Sequence, residues 1–264
     1  MRTQRSIFLA NLACLTGLTF FVMISCQPKM HQNTSTPEAQ PFFCEFRGAL
    51  DEAVWEKARY TFDGNACVSD PEEVRPGPEY LTLRIRKLDT ARENRSYSAG
   101  GLMSRRLFTY GTFTVSMRVP IPPGTVGSFF LMNPWQSGHW LHKEIDYEFL
   151  GKSRHAVQAN IHKFWADTES AAGKPLVCEA PFDYGEGFHE YTVVWKPDVV
   201  EWLADGKKVH ESRDNVPDEP MNMLMNFWIP DPKTGWTSNW VGLFDEKTLP
   251  AKVEYRWVRY ESLR

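Results

Sequence analysis

The sequence predicts an all-β fold, a sandwich or barrel in one domain. From about Phe42 onward the chain falls into short runs rich in β-branched and aromatic residues, each bounded by Gly, Pro, Asp or Asn. Patterns with the period of a helix are scarce over the same stretch. There is no internal repeat and no second composition regime, so the 264 residues are read as carrying a single folded domain.

The elements follow in order. "MRTQR" is a short basic stretch, and "SIFLANLACLTGLTFFVMIS" is an apolar run that ends at Cys26. Residues 1–25 therefore read as an export signal. "QPKMHQNTSTPEAQP" has almost no large apolar side chain, so residues 26–41 read as a solvated tether. The domain is expected over residues 42–264. Its strands are expected in "YLTLRIRKL", "GTFTVSMRVP", "GSFFLMN", "EIDYEFLG", "AVQANIH", "EYTVVWKP", "VVEWLADGKKVHES", "NMLMNFWIP" and "VEYRWVRYES". Within one of these, Asp205-Gly206 suits a tight hairpin turn, because both residues tolerate positive φ.

Composition narrows the partners. The formal net charge is −3, which gives no electrostatic ground for nucleic-acid binding. Ten Trp suit sugar stacking as well as core filling. Cys44, Cys67 and Cys178 follow the leader, and in an oxidising compartment two of them can pair and leave one free.

The most informative stretch is "HKEIDYEFLG", His142–Gly151. Strand residues two apart share a face, so Glu144, Asp146 and Glu148 project together while Ile145, Tyr147 and Phe149 point to the core. An exposed amphipathic strand gives the same pattern, although three adjacent carboxylates repel one another. Carboxylate oxygens also suit calcium. Sugar chemistry is the third reading. Four strand residues span about 13 Å, and two Glu side chains reaching inward bring their carboxyls to about 5 Å, the separation of a retaining glycosidase. One Glu then attacks the anomeric carbon and the other handles the proton, with Asp146 between them. His139 and His142 lack a third ligand at a convincing spacing, so no metal is expected there.

"EIDYEFLGK" resembles the active-site strand of glycoside hydrolase family 16, E-(I/L)-D-x-E-F-L-G. "GTFTVSMRVP", "GFHEYTVVWKPDVVEWLADGKKVH", "PMNMLMNFWIP" and "NWVGLFD" are similar to further motifs of that family, over Trp55 to Tyr260. The resemblance implies a β-jelly roll of two curved antiparallel sheets with a concave substrate cleft, and no cofactor. It implies Glu144 as nucleophile, Asp146 as assisting acid and Glu148 as acid/base. It places Phe130, His142, Gln158, Asn160, His162, Asn226, Trp228 and Trp240 along the cleft, with His162 where lichenases carry Tyr. Motif spacing matches the lichenase and xyloglucan-enzyme branch. The resemblance implies an endo-glycosidase acting on mixed-linkage or related β-glucan. A transglycosylase on a xyloglucan-like or cell-wall glycan, or a non-catalytic carbohydrate-binding protein, are the alternatives.

Three features depart from the lichenase pattern. Gly101 and Met103 stand where lichenases place Glu and Arg substrate ligands, "SAGGL" lacks the Cys that would pair with Cys67, and Arg256 replaces a calcium-binding Asp. A guanidinium cannot ligate a cation, so no metal is expected at that position either. The Ser25-Cys26 junction resembles a bacterial lipoprotein signal, with Cys26 the acylated terminus. A monomer is expected, touching a membrane only through that lipid. Its place is then the bacterial outer membrane or cell surface, or otherwise the periplasm or the medium.

Overall fold

A computed structural model of the chain describes residues 40–136, 140–165, 176–234 and 238–263. The described residues all fall within one compact unit, Glu38–Arg264. The expected signal, Cys26 and His139 lie outside the described residues.

In chain order the strands are β1 (Phe42–Glu45), β2 (Trp55–Lys57), β3 (Cys67–Ser69), β4 (Val74–Pro76), β5 (Leu81–Arg92) and β6 (Arg95–Ala99). Next come β7 (Gly101–Phe108), β8 (Gly111–Arg118), β9 (Val126–Met132), β10 (Leu141–Leu150), β11 (Ala156–Trp165) and β12 (Leu176–Glu179). The last are β13 (His189–Trp195), β14 (Val200–Ala204), β15 (Lys207–Ser212), β16 (Met221–Trp228) and β17 (Ala251–Glu261), with one short helix, α1 (Ser238–Val241), before β17. Each of the nine expected runs contains strand. The short β1 to β4 were not expected, because three or four residues are too few to show a period.

The strands form two sheets. One has the order β15-β14-β13-β8-β17-β5-β6-β3, with β1 paired to β17 and β4 to β5. The other runs β12-β11-β10-β9-β16-β7-β2. All pairings are antiparallel except β3 with β6, which is parallel. The core lies between the sheets. Ile145, Tyr147 and Phe149 of β10 are buried there with Phe113, Val115, Tyr191, Trp195 and Trp202 of the opposite sheet. Burying each such aromatic side chain contributes roughly 2–3 kcal/mol.

Hydrogen bonds also tie the layers. Trp202 Nε1 donates to the Asp146 carbonyl at 2.7 Å, and the Tyr255 hydroxyl donates to the Ser128 carbonyl at 2.8 Å. The turn at Asp205-Gly206 has φ of +46° and +74°, as its residue types require. In β17 the buried positions change from odd to even at Arg256, where the pairing with β8 shifts by one residue. This bulge turns Arg256 outward, and its guanidinium stacks 3.9 Å over the Phe188 ring. Cys44, Cys67 and Cys178 are free thiols, and the pairing that the sequence left open between two of them is not formed. They lie on β1, β3 and β12, strands that are not neighbours in either sheet.

Candidate active site

The register of the seven-stranded sheet builds the site in rows. Across β11, β10 and β9, Gln158 stands opposite Glu148 and Glu148 opposite Ser128. The next row is Asn160, Asp146 and Phe130, and the third is His162, Glu144 and Met132. β16 continues the rows with Asn226, Leu224 and Asn222, and β7 places Gly101 beside Asn226. Cross-strand partners share a face. All three acids therefore project, away from the core, onto a face lined by the polar side chains of β11. The same alternation that buries Ile145, Tyr147 and Phe149 sets this face.

Each acid has its own company. Glu144 Oε2 lies 2.8 Å from His142 Nε2. Asp146 Oδ2 lies 3.1 Å from His162 Nε2. Glu148 Oε2 accepts a hydrogen bond from Gln158 Nε2 at 2.7 Å, and Gln158 Oε1 accepts one from Trp240 Nε1 at 2.9 Å. Asn160 is buried opposite Asp146, and its Nδ2 faces His162 Nε2 at 2.8 Å.

These partners set the charge on each group. Burial opposes ionisation of Glu144, but the His142 hydrogen bond and the His162 and His142 charges prevail and hold its carboxyl below its ordinary value. Burial, then the Glu144 charge, pushes Asp146 up to about 7 despite its contact with His162. Burial, then the Asp146 charge, pushes Glu148 up to about 8. Burial disfavours the His162 imidazolium, yet the hydrogen bond and charge of Asp146 and the charges of Glu144 and Glu148 raise it to about 9. Near neutral pH the strand thus holds an ionised carboxylate at Glu144 and a protonated carboxyl at Glu148. That is the division of labour needed for nucleophilic attack paired with proton donation.

Donor atoms of Glu144, Asp146 and His162 all lie within 4.8 Å of one another, but an imidazolium at His162 has no lone pair to offer a cation. An ion there would occupy the lone pairs that make Glu144 a nucleophile.

The remaining predicted residues lie on the same face. Phe130 is buried opposite Asp146. Asn226 Oδ1 accepts from the Ser128 hydroxyl. Trp228 is buried with Val126, Leu150, Ala156 and Val241 in a second apolar cluster, one step beyond Glu148. Its ring meets Phe62 at 4.9 Å and Trp240 at 6.0 Å. A shallow depression, open to solvent, lies among Tyr60, Phe62, Asn65, Gly101, Asn226 and Trp228. Gly101 borders it with no side chain.

Sequence reasoning missed Tyr60 and Phe62, which lie on a loop with no period. It also missed Phe164, whose ring lies 4.7 Å from that of His142 at an interplanar angle of 34°. Phe164 continues the alternation of Gln158, Asn160 and His162, and the strand runs on to Trp165.

Comparison with known proteins agrees with this geometry. The chain is 32% identical over 272 residues to a β-glucanase of Brevibacillus brevis, covering 100% of this chain and 97% of that one. It is 30% identical over 234 residues to a β-glucanase of Bacillus subtilis, covering 86% and 90%. A solved prokaryotic β-1,3-1,4-glucanase (lichenase) from a mouse hindgut metagenome superposes with a TM-score of 0.74 at 30% identity, covering 84% of this chain and 99% of that one. The Bacillus licheniformis β-glucanase structure gives 0.71 at 25% identity, covering 85% and 98%. The family model described as Glycosyl hydrolases family 16 matches residues 59–259, and the chain belongs to that family.

Proposed function

We propose that this glycoside hydrolase cleaves internal bonds of a β-glucan, mixed-linkage 1,3-1,4-β-glucan or a close relative, with retention of configuration. The observation that carries the reading is the row of three acids on β10, its first member held ionised by His142 and His162 and its last held protonated by burial and the charge of Asp146. The relatives named β-glucanase and lichenase support the choice of substrate.

In the first step the Glu144 carboxylate forms a bond to the anomeric carbon. The glycosidic C–O bond breaks, and Glu148 gives its proton to the leaving oxygen. In the second, Glu148, now a carboxylate, takes a proton from water. The water oxygen attacks the same carbon and Glu144 leaves. Asp146 sits between the two and serves both. Its partial charge raises Glu148, and a hydrogen bond joins it to Glu144. The rings of Tyr60 and Phe62, at the rim of the depression, offer surfaces for sugar faces.

Export belongs to the same proposal. The basic start, the apolar run and the polar tether support a lipid on Cys26 and a place at the bacterial cell surface.

The test is hydrolysis of barley mixed-linkage glucan, laminarin, xyloglucan and a galactan, with linkage analysis of the products and NMR of the anomer first released. The expected result is internal cleavage of mixed-linkage glucan with the β-anomer appearing first. An α-anomer first, or cleavage of only the galactan, overturns the reading.

A further inference from the structure

A second role emerges for two histidines that the cleft resemblance treats only as substrate contacts. Glu144 faces into a site whose burial alone would protonate it. Two imidazoles oppose this by different routes. His142 Nε2 contacts Glu144 Oε2 directly, at 2.8 Å. His162 stands opposite Glu144 in the β10–β11 register, and its Nε2 lies 3.1 Å from Asp146 Oδ2. Asn160 Nδ2 faces the same His162 nitrogen at 2.8 Å, while Asn160 Oδ1 and His162 Nδ1 are buried without partners. Turning the carboxamide over gives Oδ1 to an Nε2–H donor, which satisfies the orphan oxygen and suits an imidazolium.

One aromatic side chain orders both rings. Phe164 packs on His142 at 4.7 Å and meets His162 edge-on at 6.1 Å. Trp140 closes the other side of His142 at 5.2 Å.

We propose that His142 and His162 are positioning residues for Glu144, the first by hydrogen bond and the second by imidazolium charge, which together keep the nucleophile ionised in the free enzyme. The proposal rests on the assignment of Glu144 as nucleophile. The groups facing Glu144 are few. β10 supplies His142, Asp146 and Glu148, and β11 supplies His162. β9 supplies uncharged Met132, and the loop before β3 supplies the Tyr60 phenol, which feels the Glu144 charge. The lysines of these strands, Lys143 and Lys163, stand opposite each other on the other face, where Lys143 bonds Asp218 and Glu219, so deleting either histidine leaves Glu144 with one imidazole fewer among the carboxyls.

Glu144 must be deprotonated to attack, so its titration sets the acid limb of kcat/KM. Losing an opposite charge or a charge-stabilising hydrogen bond raises a carboxyl. H162Q and H142Q should each move the acid limb upward by about one pH unit or more. Activity at pH 5 relative to pH 7 should then fall severalfold further than in the wild type.

The direct readout is inactivation by a 2-fluoro-2-deoxy-β-glucoside carrying dinitrophenolate, followed across pH, with peptide mapping of the label. In wild type the label should fall on Glu144. In both variants its rate should rise with pH along the displaced limb. A label on another residue overturns the nucleophile assignment itself. A label on Glu144 with an undisplaced limb in both variants overturns the positioning role alone. A raised KM with an unshifted profile would make the histidines substrate ligands and nothing more. If one variant fails to fold, as circular dichroism will show, the other reports on the same carboxylate.

Discussion

Glu144 and Glu148 are the same residue type on one strand, four positions apart, and they carry opposite charge states. The difference lies in the neighbours of each, on β10 itself and across the ladder. Glu148 meets a neutral carboxamide at Gln158 and the charge of Asp146, while Glu144 meets two imidazoles. The proton on Glu148 matters in proportion to how poorly the leaving oxygen carries negative charge. Glu148→Ala should therefore lose polymer hydrolysis by 10²-fold or more, an order-of-magnitude expectation for general acid catalysis, yet still form the glycosyl-enzyme from a dinitrophenyl glycoside. The second step should stall without a base, and added azide should restore turnover as a β-glycosyl azide. Equal slowing on both substrates with no azide rescue would remove Glu148 from the acid/base role. The same result would restrict Gln158 and Trp240 to packing.

At the scale of elements, β10 works because its ends are fixed. Gly151 ends the run "EFLG", and its amide donates to the Thr125 carbonyl at 3.0 Å. A Cβ placed there would sit 2.0 Å from the Pro122 carbonyl oxygen, which is backbone and cannot swing away. Tyr184 then caps the strand, donating its hydroxyl to the Leu150 carbonyl at 2.8 Å. Gly151→Ala is accordingly expected to destabilise the domain by roughly 2–4 kcal/mol, through forced backbone displacement. In urea the midpoint should fall with the slope unchanged. Because Glu148 lies three residues away, kcat should fall as well. A wild-type midpoint would show that the Pro122 loop yields freely.

Over the whole molecule, the site costs stability in a pH-dependent way. Glu148 rises from an ordinary value of 4.5 to about 8, and Asp146 from 3.8 to about 7. For a group raised on folding, the native state binds the proton more tightly, so its contribution is fully present below the unfolded value. It is lost as pH climbs through the folded one. His162, raised from 6.5 to about 9, acts in the same direction at higher pH. Glu144, lowered, acts oppositely and only below its ordinary value. The cluster therefore favours the fold at about pH 4 and opposes it progressively towards pH 9. Glu148→Gln removes the largest part of that slope. Its Tm should exceed that of wild type at pH 8, by about 2–4 °C for each kcal/mol recovered, and converge with it at pH 4. Parallel curves for the two proteins would mean that Glu148 is not buried with its proton in the folded state.

The sequence by itself determined the β class, the strand that carries the chemistry and the face on which its acids stand. All three follow from a two-residue period, which is local and survives in any sandwich. The Asp205-Gly206 turn was legible for the same reason. Only the tertiary structure decided the rest. Which side chain faces each acid depends on register between β10 and β11, set by a connection whose length does not reveal the pairing. That register turns Gln158 and His162, two residues expected along the cleft, into direct partners of Glu148 and Asp146, and places His162 across from Glu144. The bulge at Arg256 and the isolation of three thiols likewise come from which strands meet, and no single run of residues encodes that choice. Alternation gives each strand its two faces and sets His142 and Asp146 beside the acids, while the burial that shifts those acids and the reach of His162 and Gln158 to them come only with the folded sheet.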